Sequence, residues 1–250
     1  MANLTYTFRS ETLDLNVSVN VILPEPIGKN ETFKTLYLLH GYIGDHTDWI
    51  RFSSPERYNW SYRYAIIMPA VQNSYYTDTT YGQKYLTFIA EELPQVMERT
   101  FPLSRKREDR FIGGLSMGGY GALKAALLYP KKYSKAFSLS GAVDINHIRE
   151  ITRDSARKVS FDAVFSKKEV SGTKHDLFYL IDKNIKKNII QPEMFISCGT
   201  EDFLFESNQK MHKFLNEHNI EHVYMTEPGT HDWEFWDKYL WIAMTWLAKK

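Results

Sequence analysis

One cysteine, Cys198, occurs in 250 residues, so no internal disulfide can form and a reducing compartment suits the chain. Charge of one sign is also lacking. Lys+Arg 31 against Asp+Glu 30 leaves a formal net charge of +1, which removes the electrostatic case for nucleic acid or an anionic membrane as partner. No apolar run approaches the ~18 residues needed to cross a bilayer. The opening stretch MANLTYTFRSETLDL has neither an apolar h-region nor a small-residue cleavage site. These absences lead to the expectation of a cytoplasmic protein with no membrane and no nucleic-acid partner. Repeats, low-complexity tracts and interdomain linkers are missing too, and the length suits a single large α/β domain over residues 1–250.

The hydrophobic pattern says what kind of sheet to expect. Leu4–Phe8 and Leu13–Val21 alternate apolar and polar residues, as half-buried antiparallel strands do. Pro24, Pro26 and Gly28 then break the chain into a polar loop. Leu36–Leu39, Ala65–Pro69, Phe111–Gly114, Ala136–Leu139, Met194–Gly199 and Val223–Met225 are short apolar runs, which suits strands covered on both faces. Helical patterns lie between them: Tyr85–Arg99, with a kink expected at Pro94, then 122–128, 206–218 and 232–248. Segment 142–191 departs from the rhythm. It is rich in Lys and Arg of alternating company and reads as an inserted cap of short helices, the last over about Asp176–Lys187. The fold class is therefore α/β: a mostly parallel central sheet, helices on both faces, and a small cap.

Within that rhythm, Phe111–Leu128 reads FIGGLSMGGYGALKAALL. Gly114-Leu115-Ser116-Met117-Gly118 fits G-x-S-x-G, the strand-to-helix turn that exposes the nucleophile of α/β-hydrolases. Alone the motif is weak; the apolar run before it and the helix-forming run after it give it weight. A serine on so sharp a turn needs neighbours without Cβ atoms where strand and helix nearly touch. The turn also aims the N–H of Met117 and the positive end of the helix toward a developing oxyanion. The bland alternative is a glycine-rich turn with a capping serine. A second glycine-bearing loop, His40-Gly41-Tyr42-Ile43-Gly44-Asp45, follows the Leu36–Leu39 strand, where this fold places its other oxyanion donor; the N–H of Tyr42 is the candidate. His40 reads equally as a residue that holds the loop backbone in place.

A serine hydroxyl needs a base, itself oriented by an acid, and on this fold the order is Ser, acid, His, each at a strand's carboxyl end. Of eight histidines, only His231 lies in the turn after the last strand. His40 and His46 precede the serine, and His147, His175, His212, His218 and His222 lie outside the required place. Two acids compete: Asp144, after the Ala136–Gly141 strand, and Asp202, one strand later in a Gly-Thr-Glu-Asp turn. Asp202 is preferred, with Glu201 facing solvent. Cys198, within a strand, reads as a structural thiol.

LLHGYIGDHTDW (38–49), YYTDTTYGQKYLTFIAEELPQV (75–96), GLSMGGYGALK (114–124), CGTEDFLFESNQ (198–209) and PGTHDWEFWD (228–237) together resemble the esterase D/S-formylglutathione hydrolase-like family of α/β-hydrolases. Feruloyl and acetylxylan esterases and mycolyltransferases belong to it, and the chain is most similar to its bacterial tributyrin esterase branch. The resemblance implies nucleophile Ser116, acid Asp202, base His231, and oxyanion donors at the backbones of Tyr42 and Met117. It implies a serine carboxylesterase acting on small acyl esters through an acyl-enzyme, with no metal or cofactor. A homo-oligomer stays open. The polar cap shares little with S-formylglutathione hydrolases. The alternatives are a thioesterase of that type, a feruloyl or acetyl esterase acting on carbohydrate, and a noncatalytic binding protein on the same scaffold. The large side chains Trp49, Tyr75, Tyr76 and Trp233, with Tyr42, are expected to bind substrate and shorten the acyl pocket.

Overall fold

The two alternating strands pair at one edge, and the apolar runs fill the rest of an eight-stranded sheet. In the computed structural model, which describes residues 1–80 and 82–249, the strands are β1 (Ala2–Ser10), β2 (Leu15–Leu23), β3 (Thr35–Leu39), β4 (Ala65–Pro69), β5 (Arg110–Leu115), β6 (Lys135–Leu139), β7 (Glu193–Gly199) and β8 (His222–Glu227). Their order is β1-β2-β4-β3-β5-β6-β7-β8. β1 with β2 and β2 with β4 run antiparallel; all other neighbours are parallel. The helices are α1 (Asp48–Phe52), α2 (Pro55–Tyr58), α3 (Tyr85–Thr87), α4 (Leu93–Thr100), α5 (Met117–Leu128), α6 (Ile145–Thr152), α7 (Arg157–Phe165), α8 (Leu177–Lys186), α9 (Phe205–Glu217) and α10 (Trp233–Leu247). Tyr81, within the 75–96 stretch that carries part of the resemblance, lies outside the described residues.

Both faces of the central strands are covered, which is why their sequences read as unbroken apolar runs. In β3, Leu36 and Leu38 face one core with Trp49 from α1, Phe235 and Tyr239 from α10, and Tyr64 from the segment leading into β4. Tyr37 and Leu39 face the other with Met97, Tyr120 and Leu215, brought by α4, α5 and α9. Alternate side chains of one strand thus hold two helical layers.

The region expected as one kinked helix takes a different form. Between α3 and α4, Phe88–Glu92 forms a wide π turn in which the N–H of Leu93 reaches back to the carbonyl of Phe88. Pro94 has no N–H to give Ala90, so that carbonyl needs another donor. Lys132 Nζ supplies it at 2.6 Å, and Tyr133 Oη donates to the carbonyl of Ile89 at 3.3 Å. The irregularity is therefore absorbed before Pro94 and satisfied from the chain segment after α5. Between β6 and β7, where 142–191 breaks the strand–helix rhythm, lie α6, α7 and α8. Asp144 caps α6 and Asp176 caps α8 through side-chain bonds to backbone N–H groups.

Candidate active site

Every element at this site ends at the carboxyl edge of a parallel strand. β5 runs straight into α5 through Ser116, whose backbone sits at φ 51°, ψ −117°. A non-glycine residue there is strained, and the surroundings hold it: its N–H bonds to the carbonyl of Leu139 at 2.9 Å, and its own carbonyl accepts from Ala142 N at 3.0 Å. The turn is tight enough that a Cβ on Gly118 would lie 2.5 Å from the carbonyl oxygen of Leu39 and 2.6 Å from that of His40. Only glycine fits against that backbone. Although Ser116 stands at the start of α5, its side chain makes no capping bond to the helix.

Instead, Ser116 Oγ lies 2.9 Å from His231 Nε2, and His231 Nδ1 lies 2.8 Å from Asp202 Oδ2. An ionised carboxylate can only accept, so Nδ1–H donates to Asp202, leaving Nε2 free to accept the serine proton. Asp202 is buried, and its Oδ1 accepts from the N–H of Leu204 at 2.8 Å. The loops bearing Asp202 and His231 are laced together. Glu201 N–H donates to the carbonyl of Gly229 at 3.1 Å, and the Glu201 carboxylate accepts from the N–H of Gly229. A Cβ on Gly199 would lie 2.1 Å from that same Gly229 carbonyl oxygen, so glycine is required for the approach. Glu201 thus ties down the loop that carries His231. Asp144, the rival acid, caps α6 and pairs with Lys210 at 2.6 Å, remote from the imidazole's bonds.

The β3 loop comes to the other side of Ser116. Gly41, Tyr42 and Met117 line the same cleft as Ser116, and neither the N–H of Tyr42 nor that of Met117 meets an acceptor among the described residues. His40 holds this loop. Its Nδ1–H donates to the carbonyl of Gly41 at 2.7 Å, and its Nε2 accepts from Val71 N–H at 3.1 Å. The bond accepted by Nε2 requires the neutral ring, and burial pushes the His40 pKa down to about 4. The unfolded value lies near 6.5, so below that pH the unfolded chain gains a proton that the folded chain refuses until about 4. Folding stability is expected to be full above about pH 6.5 and to fall by up to ~1.4 kcal/mol per pH unit as pH drops toward 4. His175, pushed down to about 3 chiefly by burial, adds in the same direction. Urea unfolding at pH 7, 5.5 and 4.5 measures this; a His40→Asn variant should show a shallower slope, and an identical slope refutes the assignment.

The cleft has a volume of about 510 Å³. Of the aromatic residues expected on it, Tyr42, Tyr75 and Trp233 line it. Trp49 and Tyr76 do not. Trp49 is buried beneath the cleft, its indole N–H donating to the carbonyl of Leu39 at 3.1 Å, with Trp233 stacked edge-on above it. Tyr76 is wholly buried, its hydroxyl bonding to the carbonyl of His40 at 2.9 Å. Each aromatic found a backbone acceptor in the core, which made burial the better home. Sequence reasoning missed Phe52, Phe203 and, from α6 and α7, Ile148, Ile151, Thr152 and Arg157, which also line the cleft. Phe203, directly after Asp202, could have been found from its position; the residues of α6 and α7 had no period to reveal them. Arg157 stacks over the Tyr42 ring at 4.8 Å, and Tyr42 Oη bonds Ser160 Oγ at 2.7 Å, so α7 rests on the loop bearing Tyr42. Among the described residues no group of three or more His, Cys, Asp or Glu is placed to hold a metal ion, and no helix is long and apolar enough to cross a membrane.

The model of the family described as Putative esterase matches residues 10–247. An acetyl esterase of Caldicellulosiruptor saccharolyticus is 35% identical, the match covering 100% of this chain and 99% of that protein. Two solved structures from Staphylococcus aureus superimpose closely. The substrate-bound fluorophosphonate-binding serine hydrolase F has a TM-score of 0.93 at 34% identity, covering 100% of this chain and 99% of the other. An S-formylglutathione hydrolase has a TM-score of 0.90 at 35% identity, covering 99% of each chain.

Proposed function

This chain belongs to the Putative esterase family, has the α/β-hydrolase fold and is a serine ester hydrolase, and on that premise we propose that Ser116, His231 and Asp202 perform the reaction through an acyl-enzyme. The observation that carries this reading is the unbroken relay of 2.9 Å and 2.8 Å from Ser116 through His231 to Asp202. As Ser116 Oγ attacks the ester carbonyl carbon, its proton passes to His231 Nε2. The imidazolium is stabilised by the buried Asp202, and the tetrahedral oxyanion by the N–H groups of Tyr42 and Met117, each such donor typically worth ~100–1000-fold in rate. His231 then gives the proton to the departing alcohol, and a water repeats the sequence to release the acid. Segment 142–191 we take as a cap, since its residues Ile148, Ile151, Thr152 and Arg157 border the cleft. A cytoplasmic location fits the one free cysteine, Cys198, which is buried. Labelling with a fluorophosphonate probe, followed by peptide mapping, tests the nucleophile; an adduct on any serine but Ser116 overturns it.

Short acyl chains are the substrates this site suits, as tributyrin and acetyl esters would supply. Tyr42, Tyr75, Met117 and Trp233 line the cleft together with Ser116. The apolar gain of ~0.8 kcal/mol per buried CH₂ must therefore stop after a few carbons. A p-nitrophenyl ester series is expected to peak in kcat/KM between acetate and hexanoate and to collapse by dodecanoate. A maximum at ten carbons or more would mean these side chains open a channel. In the same panel, acetyl oxyesters are expected to exceed S-formylglutathione; the reverse order would make the protein a thioesterase.

A further inference from the structure

The alcohol half of the ester has a surface of its own to lie on. Whatever leaves must take its proton from His231 Nε2, so its oxygen has to come within hydrogen-bond reach of that atom. Its substituent then passes over whatever borders the imidazole on the open side. Two rings touch the imidazole. Trp236, in α10, meets it edge-on with centroids 4.8 Å apart and is only 7% exposed, so it supports the ring from within. Phe203 lies on the other approach, centroids 4.6 Å apart, lines the cleft, and is 55% exposed.

An aromatic left half in water beside a reacting atom is apolar area waiting to be covered. It is also held still. Phe203 stands between Asp202 and Leu204, both buried, and the turn is closed by Leu204 N–H to Asp202 Oδ1 at 2.8 Å and Phe205 N–H to the carbonyl of Asp202 at 2.9 Å. The exposed ring therefore rides on a turn closed by two hydrogen bonds and anchored by two buried neighbours, which leaves a ligand that covers it less ordering to do. Past His231 the cleft carries further apolar surface on Trp233, which rests on the buried Trp236 with centroids 5.4 Å apart, and on Phe52, 5.2 Å from Trp233.

We propose that Phe203 is a specificity-determining residue, the platform on which the alcohol part of the substrate lies, and that the preferred esters carry an aryl or other flat apolar alcohol. This rests on the reading of His231 as the group that protonates the leaving alcohol.

The test compares ethyl acetate with benzyl acetate, which share the acyl group and differ by one phenyl ring on alcohols of similar acidity. Wild-type kcat/KM should favour the benzyl ester by about tenfold or more, the scale of an added apolar contact in a pocket. In Phe203→Ala that ratio should fall toward one, the change carried by KM for benzyl acetate rather than by kcat. Phe203→Trp should restore it. If Phe203→Ala lowers both esters equally, or leaves the ratio where it was, Phe203 only packs against the imidazole and the proposal fails. Ser116→Ala keeps the two ideas apart. A Ser116→Ala protein that still hydrolyses ethyl acetate overturns the triad reading itself, whereas an unmoved ratio in Phe203→Ala overturns the alcohol platform alone.

Discussion

Ser116→Ala is expected to lower kcat on p-nitrophenyl butyrate by a factor on the order of 10⁶, the scale seen when a well-studied serine protease loses its nucleophile. The loss should be this large because Ser116 alone among the described cleft residues has an aliphatic hydroxyl bonded to His231, whereas Thr152 donates to the carbonyl of Ile148 at 2.7 Å. Cys198, the one thiol, is buried, and burial raises its pKa well above the usual range. The fold should survive, since Ser116 Oγ has a single partner, His231 Nε2, and burying or exposing a hydroxyl here changes no apolar packing. A second variant separates chemistry from backbone strain. At φ 51° a glycine is unstrained where alanine is not, so Ser116→Gly should be equally inactive yet more stable than Ser116→Ala by about 1 kcal/mol. Steady-state rates with thermal melts on the two proteins check both parts. Retained esterase activity in either variant would show that another group is the nucleophile.

The parallel sheet and the nucleophile turn could be read from the chain because each rests on a local requirement. A strand covered on both faces must be apolar throughout, as Leu36–Leu39 and Ala65–Pro69 are. A turn with φ 51° at Ser116, pressed against the carbonyls of Leu39 and His40, must have glycine at 118. The order of Ser116, Asp202 and His231 follows from strands that all point their carboxyl ends the same way. Those three residues lie 86 and 29 positions apart in the chain, yet two hydrogen bonds join them.

What the chain did not disclose depends on contacts made across it. Trp49, Tyr75, Tyr76 and Trp233 look alike as loop aromatics, and tertiary contacts decide where each one goes. The carbonyl of Leu39 claims the Trp49 indole and the carbonyl of His40 claims the Tyr76 hydroxyl. Tyr75, itself buried, and the partly exposed Trp233 border the cleft. The π turn at Phe88–Glu92 is equally invisible, because the groups that satisfy its carbonyls, Lys132 and Tyr133, are about forty residues downstream. In α7 the cleft residue Arg157 sits on the Tyr42 ring, a partnership no local period encodes.

Asp202→Asn is expected to cost about 10⁴-fold in kcat, as the equivalent change does in a serine protease, whereas Asp144→Asn should leave kcat within a few-fold. Asp202 accepts from His231 Nδ1 at 2.8 Å and from Leu204 N–H at 2.8 Å, using both oxygens. In an asparagine the Leu204 N–H holds the one oxygen, which turns the amide NH₂ toward His231. Nδ1 must then accept, so the imidazole proton moves to Nε2, where it faces Ser116 Oγ and cannot take a second proton. Geometry is kept and the base is lost. At Asp144 the carboxylate caps α6 through Asn146 N and His147 N, a task asparagine performs about as well. What it gives up is the charge of the pair with Lys210, a loss felt at the start of α6 and not at His231. The measurement is kcat for both variants across pH 6 to 9, with circular dichroism to confirm that each is folded. Similar losses in the two would mean that the acid comes from the end of β6 and that the His231–Asp202 bond only positions a loop.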